Sequence, residues 1–129
     1  MTYSEKLSAR IAATGSNLCV GIDPRPDRID GDFEGFVRKL AEDTAEFAAA
    51  FKPNIAYFEA LGSSGYAILE RLLADIPDEI PVVLDAKRGD IGFTQEYYAK
   101  AYFEELHGVD AVTISPYMGF DSVAPMLAH

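Results

Sequence analysis

Apolar residues recur along the chain with two different periods, and the switch between them divides the sequence into repeating units. Thr2 and Glu5 have the Thr-x-x-Glu spacing of a capping box, and Leu7 and Ile11 follow four apart. A short N-terminal helix is therefore expected, stopping near Gly15–Ser16. The compact run Leu18–Ile22, ended by Asp23–Pro24, reads as a fully buried strand, and a loop with Pro24, Pro26 and Gly31 follows. Asp32 is placed to cap the next helix. From Phe33, the positions Phe36, Val37, Leu40, Ala41, Thr44, Phe47 and Ala48 keep a 3.6-residue period, with Glu34, Arg38, Lys39, Glu42 and Glu46 facing elsewhere. The pattern then repeats, with a short strand over Phe51–Ile55 and a helix carrying Ile68, Leu69, Leu72, Leu73 and Ile76 that Pro77 stops. A third strand, Pro81–Leu84, ends at Asp85. Thr94 is placed to cap a helix running through Tyr98, Ala101, Tyr102 and Leu106 to Gly108. A fourth strand, Ala111–Ile114, leads into a Pro116–Gly119 turn and a segment opened by Asp121.

Four strands that read as apolar on both faces, alternating with helices, imply a parallel sheet with helices packed outside it. No Gly-x-Gly-x-x-Gly or Walker-type loop follows the first strand, which argues against a nucleotide-binding doubly wound sheet. The expected fold class is α/β, a (β/α) TIM-type barrel. Such barrels take eight units in about 250 residues. The 129 residues hold four, so residues 1–129 are read as the N-terminal half of one barrel domain, with no linker and no second domain.

Composition narrows the function. Eleven Lys and Arg oppose 21 Asp and Glu, for a net charge of −10, which disfavours binding to nucleic acid or to an anionic membrane surface. Hydrophobic residues make up 49% of the chain, enough for a core, yet no run reaches the roughly 18 residues of a membrane span. Residues 1–10 mix charge and polarity, unlike a secretory signal. The single cysteine, Cys19, excludes an internal disulfide and is expected in the core of the first strand. A cytoplasmic, soluble protein is the expectation.

In parallel α/β folds chemistry collects at the carboxyl ends of the strands, and the charges here fall there: Asp23, Lys52, Asp85, Lys87 and Asp90. Asp85 and Lys87 are two apart, so a continuing strand points both to one side, while Arg88–Gly89 permits a turn that redirects Asp90. Lys52 precedes Pro53, which holds its backbone extended. Such an alternating array of ammonium and carboxylate groups suits an anionic substrate and proton delivery to carbon. His107 and His129 form no metal-ligand pair. Tyr97, Tyr98, Tyr102 and Phe103 form an aromatic helix stripe suited to packing or a subunit contact.

Four segments, Leu18–Pro24, Phe51–Asn54, Leu84–Ile91 and Thr113–Phe120, together resemble orotidine 5′-phosphate decarboxylase, in the longer bacterial branch of that family. The resemblance runs from about residue 16 to the end of the chain. It implies decarboxylation of orotidine 5′-phosphate to uridine 5′-phosphate, in de novo pyrimidine synthesis, without metal or cofactor. On the family's pattern Lys87 is the proton donor, Asp85 lies against the substrate carboxylate, Lys52 hydrogen-bonds the ribose and anchors the array, and Asp23 binds a ribose hydroxyl. Asp90 and Thr94 are implied to reach a neighbouring subunit's site, making the active unit a homodimer. The family's phosphate grip comes from loops near the seventh and eighth strands, which fall beyond His129, so these 129 residues are expected to be inactive alone. Two alternatives stand beside this reading. One is a metal-dependent sugar-phosphate decarboxylase or synthase that shares Asp-x-Lys-x-x-Asp; the other is a non-catalytic half-barrel that works only by association.

Overall fold

The computed structural model describes residues 1–129. Helix α1 (Tyr3–Thr14) opens on the expected capping box. Thr2 N–H donates to Glu5 at 2.8 Å, Glu5 N–H donates back to Thr2 Oγ1, and Gly15 ends the helix in the left-handed region at φ 64°. Strand β1 (Leu18–Ile22) precedes α2 (Phe33–Thr44), which Asp32 caps by accepting from Gly35 N–H at 2.9 Å. Strand β2 (Ala48–Pro53) is followed by the short helix α3 (Ile55–Glu59) and by α4 (Gly62–Asp75). Strand β3 (Val83–Arg88) leads to α5 (Gly92–Lys100), and β4 (Ala111–Ile114) leads to α6 (Phe120–Leu127).

The strands are all parallel and lie in chain order. β1 pairs with β2, β3 pairs with β4, and single parallel bridges at Phe51–Val82 and Asn54–Asp85 join the two pairs. Consecutive parallel neighbours with helical crossovers form the first four units of a (β/α) barrel wall. Register and alternation separate its two faces. Ile22, Phe51, Val82, Leu84 and Ala86 face the helices and are buried with Val37, Phe58, Leu69, Leu72 and Tyr102 in one core. Cys19, Gly21, Lys52, Asp85 and Thr113 lie on the concave face. Helix α1 ties the amino ends of the strands together. Arg10 donates to the carbonyls of Ala45 and Ala48, Lys6 pairs with Asp110 at 2.8 Å, and Asp110 accepts from Val82 N–H.

Several expectations are corrected. β1 is not fully buried: only Ile22 is, and Cys19 is exposed rather than in the core. The helix expected to run to Ala48 stops at Thr44. The Arg10 guanidinium takes the Ala45 and Ala48 carbonyls, and β2 starts three residues before its expected position, with Ala48, Ala49 and Ala50 buried. Thr94 is not a cap: α5 opens with Ile91 at the N-cap position and Thr94 lies inside its first turn. The helix expected to continue to Gly108 passes at Ala101–Glu105 into a π-helical turn, in which Leu106 N–H donates to Ala101 O.

Candidate active site

Each residue of the Phe51–Asn54 segment has a separate task at the carboxyl end of β2. Phe51 fills the core, Lys52 projects onto the concave face, and Pro53 is buried with its φ fixed. Asn54 turns the chain into α3, its side chain accepting from Ala56 N–H at 3.1 Å while its own N–H donates to Ile22 O. On β3, Leu84 and Ala86 are buried toward the helices, so Asp85 between them points to the other face.

Asp85 is the centre of the cluster and is 7% exposed. Its Oδ2 accepts from Lys52 Nζ at 3.3 Å, and its Oδ1 accepts from Thr113 Oγ1 at 2.8 Å and from Lys87 Nζ in a short ion pair. Burial alone would raise the Asp85 carboxyl. Hydrogen bonds from Lys87, Thr113 and Lys52, with the Lys52 charge, outweigh that and hold it down at about 2. One anionic acceptor is thus shared by two ammonium groups, both of which retain exposed surface toward the concave side.

Asp85 and Lys87 meet within β3, which continues to Arg88, but the backbone at Lys87 is not regularly extended. Lys87 has φ 49°, the only non-glycine residue of the chain with a positive φ, and the β3–β4 register shifts between Leu84 and Arg88. Thr113 Oγ1 accepts from the N–H groups of Ala86 and Lys87, each at 3.0 Å, while donating to Asp85. One hydroxyl on β4 therefore organises both the carboxylate and the backbone of β3. Sequence reasoning did not single out Thr113. Its signal was its place in β4, the residue after Val112, which pairs with Leu84 just before Asp85.

The other expected site residues stand apart from this cluster. Asp23, just past β1, is exposed and forms no ion pair. Asp90 lies on the loop after β3, its carboxylate accepting from Ile91 N–H, and Thr94 lies in the first turn of α5. Gly89, just before Asp90, is required for close approach, since a Cβ there would come within 2.9 Å of the Ser115 carbonyl oxygen.

The chain's similarities agree with this geometry. A family model described as "Orotidine 5'-phosphate decarboxylase / HUMPS family" matches residues 16–129. The chain belongs to this family. It is 47% identical over 132 residues to an orotidine 5′-phosphate decarboxylase from Herpetosiphon aurantiacus, covering 97% of this chain and 49% of that protein. It is 49% identical over 139 residues to one from Verminephrobacter eiseniae, covering all of this chain and 50% of that protein. Among solved structures, the Leishmania donovani OMP decarboxylase superposes with a TM-score of 0.87 at 42% identity, over all of this chain and 50% of that one. The L. donovani UMP synthase superposes with a TM-score of 0.91 at 43% identity, over all of this chain and 28% of that one. The chain thus spans about half the length of the curated decarboxylases it matches, and its fold is half of their barrel.

Proposed function

We propose that this chain carries the proton-donating charge array of an orotidine 5′-phosphate decarboxylase. The observation behind this reading is the convergence of Lys52, Lys87 and Thr113 on one buried carboxylate at the carboxyl ends of parallel strands. In this reaction the bond between carbon 6 of the pyrimidine and its carboxylate breaks, and the electron pair stays on carbon 6. Carbon dioxide leaves, and the Lys87 ammonium gives its proton to that carbon. A cation fixed beside carbon 6 acts most strongly where negative charge develops, so it lowers the barrier rather than only tightening binding. Asp85 holds Lys87 in place and lies against the departing carboxylate. Lys52 and Asp23 take the ribose hydroxyls. Asp90 and Thr94, which stand outside the ion-paired cluster, serve a neighbouring subunit's site in a cytoplasmic homodimer, and neither metal nor cofactor takes part.

On this reading the phosphate and much of the pyrimidine ring are held by later strands of the barrel, so the 129 residues alone do not turn over orotidine 5′-phosphate. Joined in frame to the C-terminal half of the H. aurantiacus relative, the chain is expected to decarboxylate it with no loss of rate in EDTA. Lys87→Ala in that fusion should abolish turnover while leaving its circular dichroism unchanged. Turnover by the 129 residues alone, or near-normal rates in the Lys87→Ala fusion, would refute the reading.

A further inference from the structure

Lys87 occupies a left-handed conformation in which a Cβ crowds the backbone, and such a conformation persists only where the surroundings impose it. Thr113 accounts for part of this by accepting the Lys87 N–H. The remainder converges on the next residue, Arg88, whose side chain turns to the opposite face of β3. Its Nη1 donates to Ala86 O at 3.3 Å, which belongs to the same peptide unit as the Lys87 N–H. Its Nε donates to Tyr102 Oη at 2.7 Å, and its Nη2 pairs with Glu59. The guanidinium carbon stands 5.4 Å from the Tyr98 ring centroid and 5.8 Å from that of Tyr102. The Arg88 carbonyl in turn accepts from Ser115 N–H at 2.6 Å. The peptide before Lys87 is thus pinned at both its oxygen and its N–H, and the residue after it is pinned at both side chain and backbone.

The partners of Arg88 come from the two irregular elements of the fold. Glu59 ends the extra helix α3, and Tyr102 sits in the π-helical turn after α5. Tyr102 is 4% exposed, so its hydroxyl has little access to water and depends on a partner in the chain.

We propose that Arg88, held by Glu59 and Tyr102, is a positioning residue that locks the Lys87 backbone in its left-handed conformation and so aims the Lys87 ammonium at Asp85. The inference rests on Lys87 being the proton donor, and its first test does not depend on activity. In the isotopically labelled 129-residue chain, the intraresidue HN–Hα nuclear Overhauser effect and the three-bond HN–Hα coupling of Lys87 report its φ directly. The native chain should show the left-handed signature. Arg88→Met should lose it while the rest of the amide spectrum stays dispersed. If Arg88→Met does not fold, the Glu59→Gln/Tyr102→Phe double variant removes the two outer contacts and keeps the arginine, and it should weaken the same signature. A left-handed Lys87 in a folded Arg88→Met chain, or in the double variant, overturns the proposal. In the active fusion, Tyr102→Phe should lower kcat by about tenfold with little change in KM, since small misplacement of a reacting group acts on the chemical step. A lower melting temperature with unchanged kcat would mean that the contacts serve stability alone and would also overturn the proposal. An inactive fusion with a native left-handed signature would count against the decarboxylase reading while leaving the positioning role of Arg88 intact.

Discussion

The Asp85 carboxyl, held at about 2 against an ordinary 3.8, ties the stability of the cluster to pH. Its value is depressed in the folded state, so its stabilisation is fully present above about pH 4 and is lost as pH falls through about 2. The shift corresponds to at most about 2 kcal/mol, and less in practice, because the Lys87 side chain is 68% exposed and its attraction is screened. Asp85→Asn should therefore lower the free energy of unfolding by about 1 kcal/mol near pH 7, with the difference from the native chain shrinking between pH 4 and pH 2 in urea titrations. A difference that stays constant over that range would show that Asp85 acts through shape and neutral hydrogen bonds. Gln95 presents the opposite case. It is fully buried on α5, and neither atom of its amide has a hydrogen-bond partner in the chain. An unpaired buried amide costs about 1–3 kcal/mol, so the similarly sized Gln95→Met should be neutral or stabilising by about 1 kcal/mol in the same titrations. Lys52, Asp85 and Lys87 were legible in the sequence as candidates because they fall directly after apolar runs, at the carboxyl ends of strands, and the structure brings the three together. Thr113 was not, because a threonine in a strand satisfies β propensity without any further role. Only the pairing of β3 with β4 reveals what its hydroxyl touches.

At the scale of elements, the strands and the helices α2, α4 and α5 were readable from the pattern, whereas the segment opened by Asp121 was not identified as the helix α6, and boundaries moved wherever a distant residue competed for the backbone. Ala45–Ala50 has the composition of a helix, yet Arg10, 35 residues before Ala45, binds the Ala45 carbonyl at 2.6 Å, and burial against the core favours small residues in β2. Helix α3 is five residues long, too short to announce itself by periodicity, and the π-helical turn differs from an α-helix by one backbone register. The joint between α3 and α4 depends on a single glycine. A Cβ on Gly65 would stand 2.0 Å from the Phe58 carbonyl oxygen and 2.7 Å from the Leu61 Cβ, and the first of these is backbone that cannot swing aside. Gly65→Ala should then destabilise the chain by about 3 kcal/mol, even though alanine is the better helix former, because overpacking outweighs propensity. Chemical denaturation measures it. A stabilised Gly65→Ala variant would show that α3 and α4 can separate without consequence.

Over the whole molecule, the two faces of the sheet have unequal cover. The helix side is closed by α2, α4 and α5, with Ile22, Phe51 and Leu84 fully buried, whereas on the concave side Cys19 of β1 is exposed. Cys19 reports on that side. It pairs in register with Ala50, next to the Gly21–Lys52 pair, and it is exposed. Exposed though the residue is, its neighbours partly desolvate the thiol and raise it, and the Lys52 charge offsets that only in part, so the thiolate forms above the ordinary range. In the 129-residue chain a small disulfide reagent should therefore modify Cys19 completely, at a rate that climbs steadily as pH rises toward 9. Joining the C-terminal half of the H. aurantiacus relative would turn the same face into the interior of a closed barrel, which is packed with side chains rather than left as a pore. Modification should then slow by about a hundredfold or more, since it would require opening of a covered core. Equal rates in the chain and the fusion would show that the second half does not close over β1, and would point to a half-barrel that keeps its concave face open.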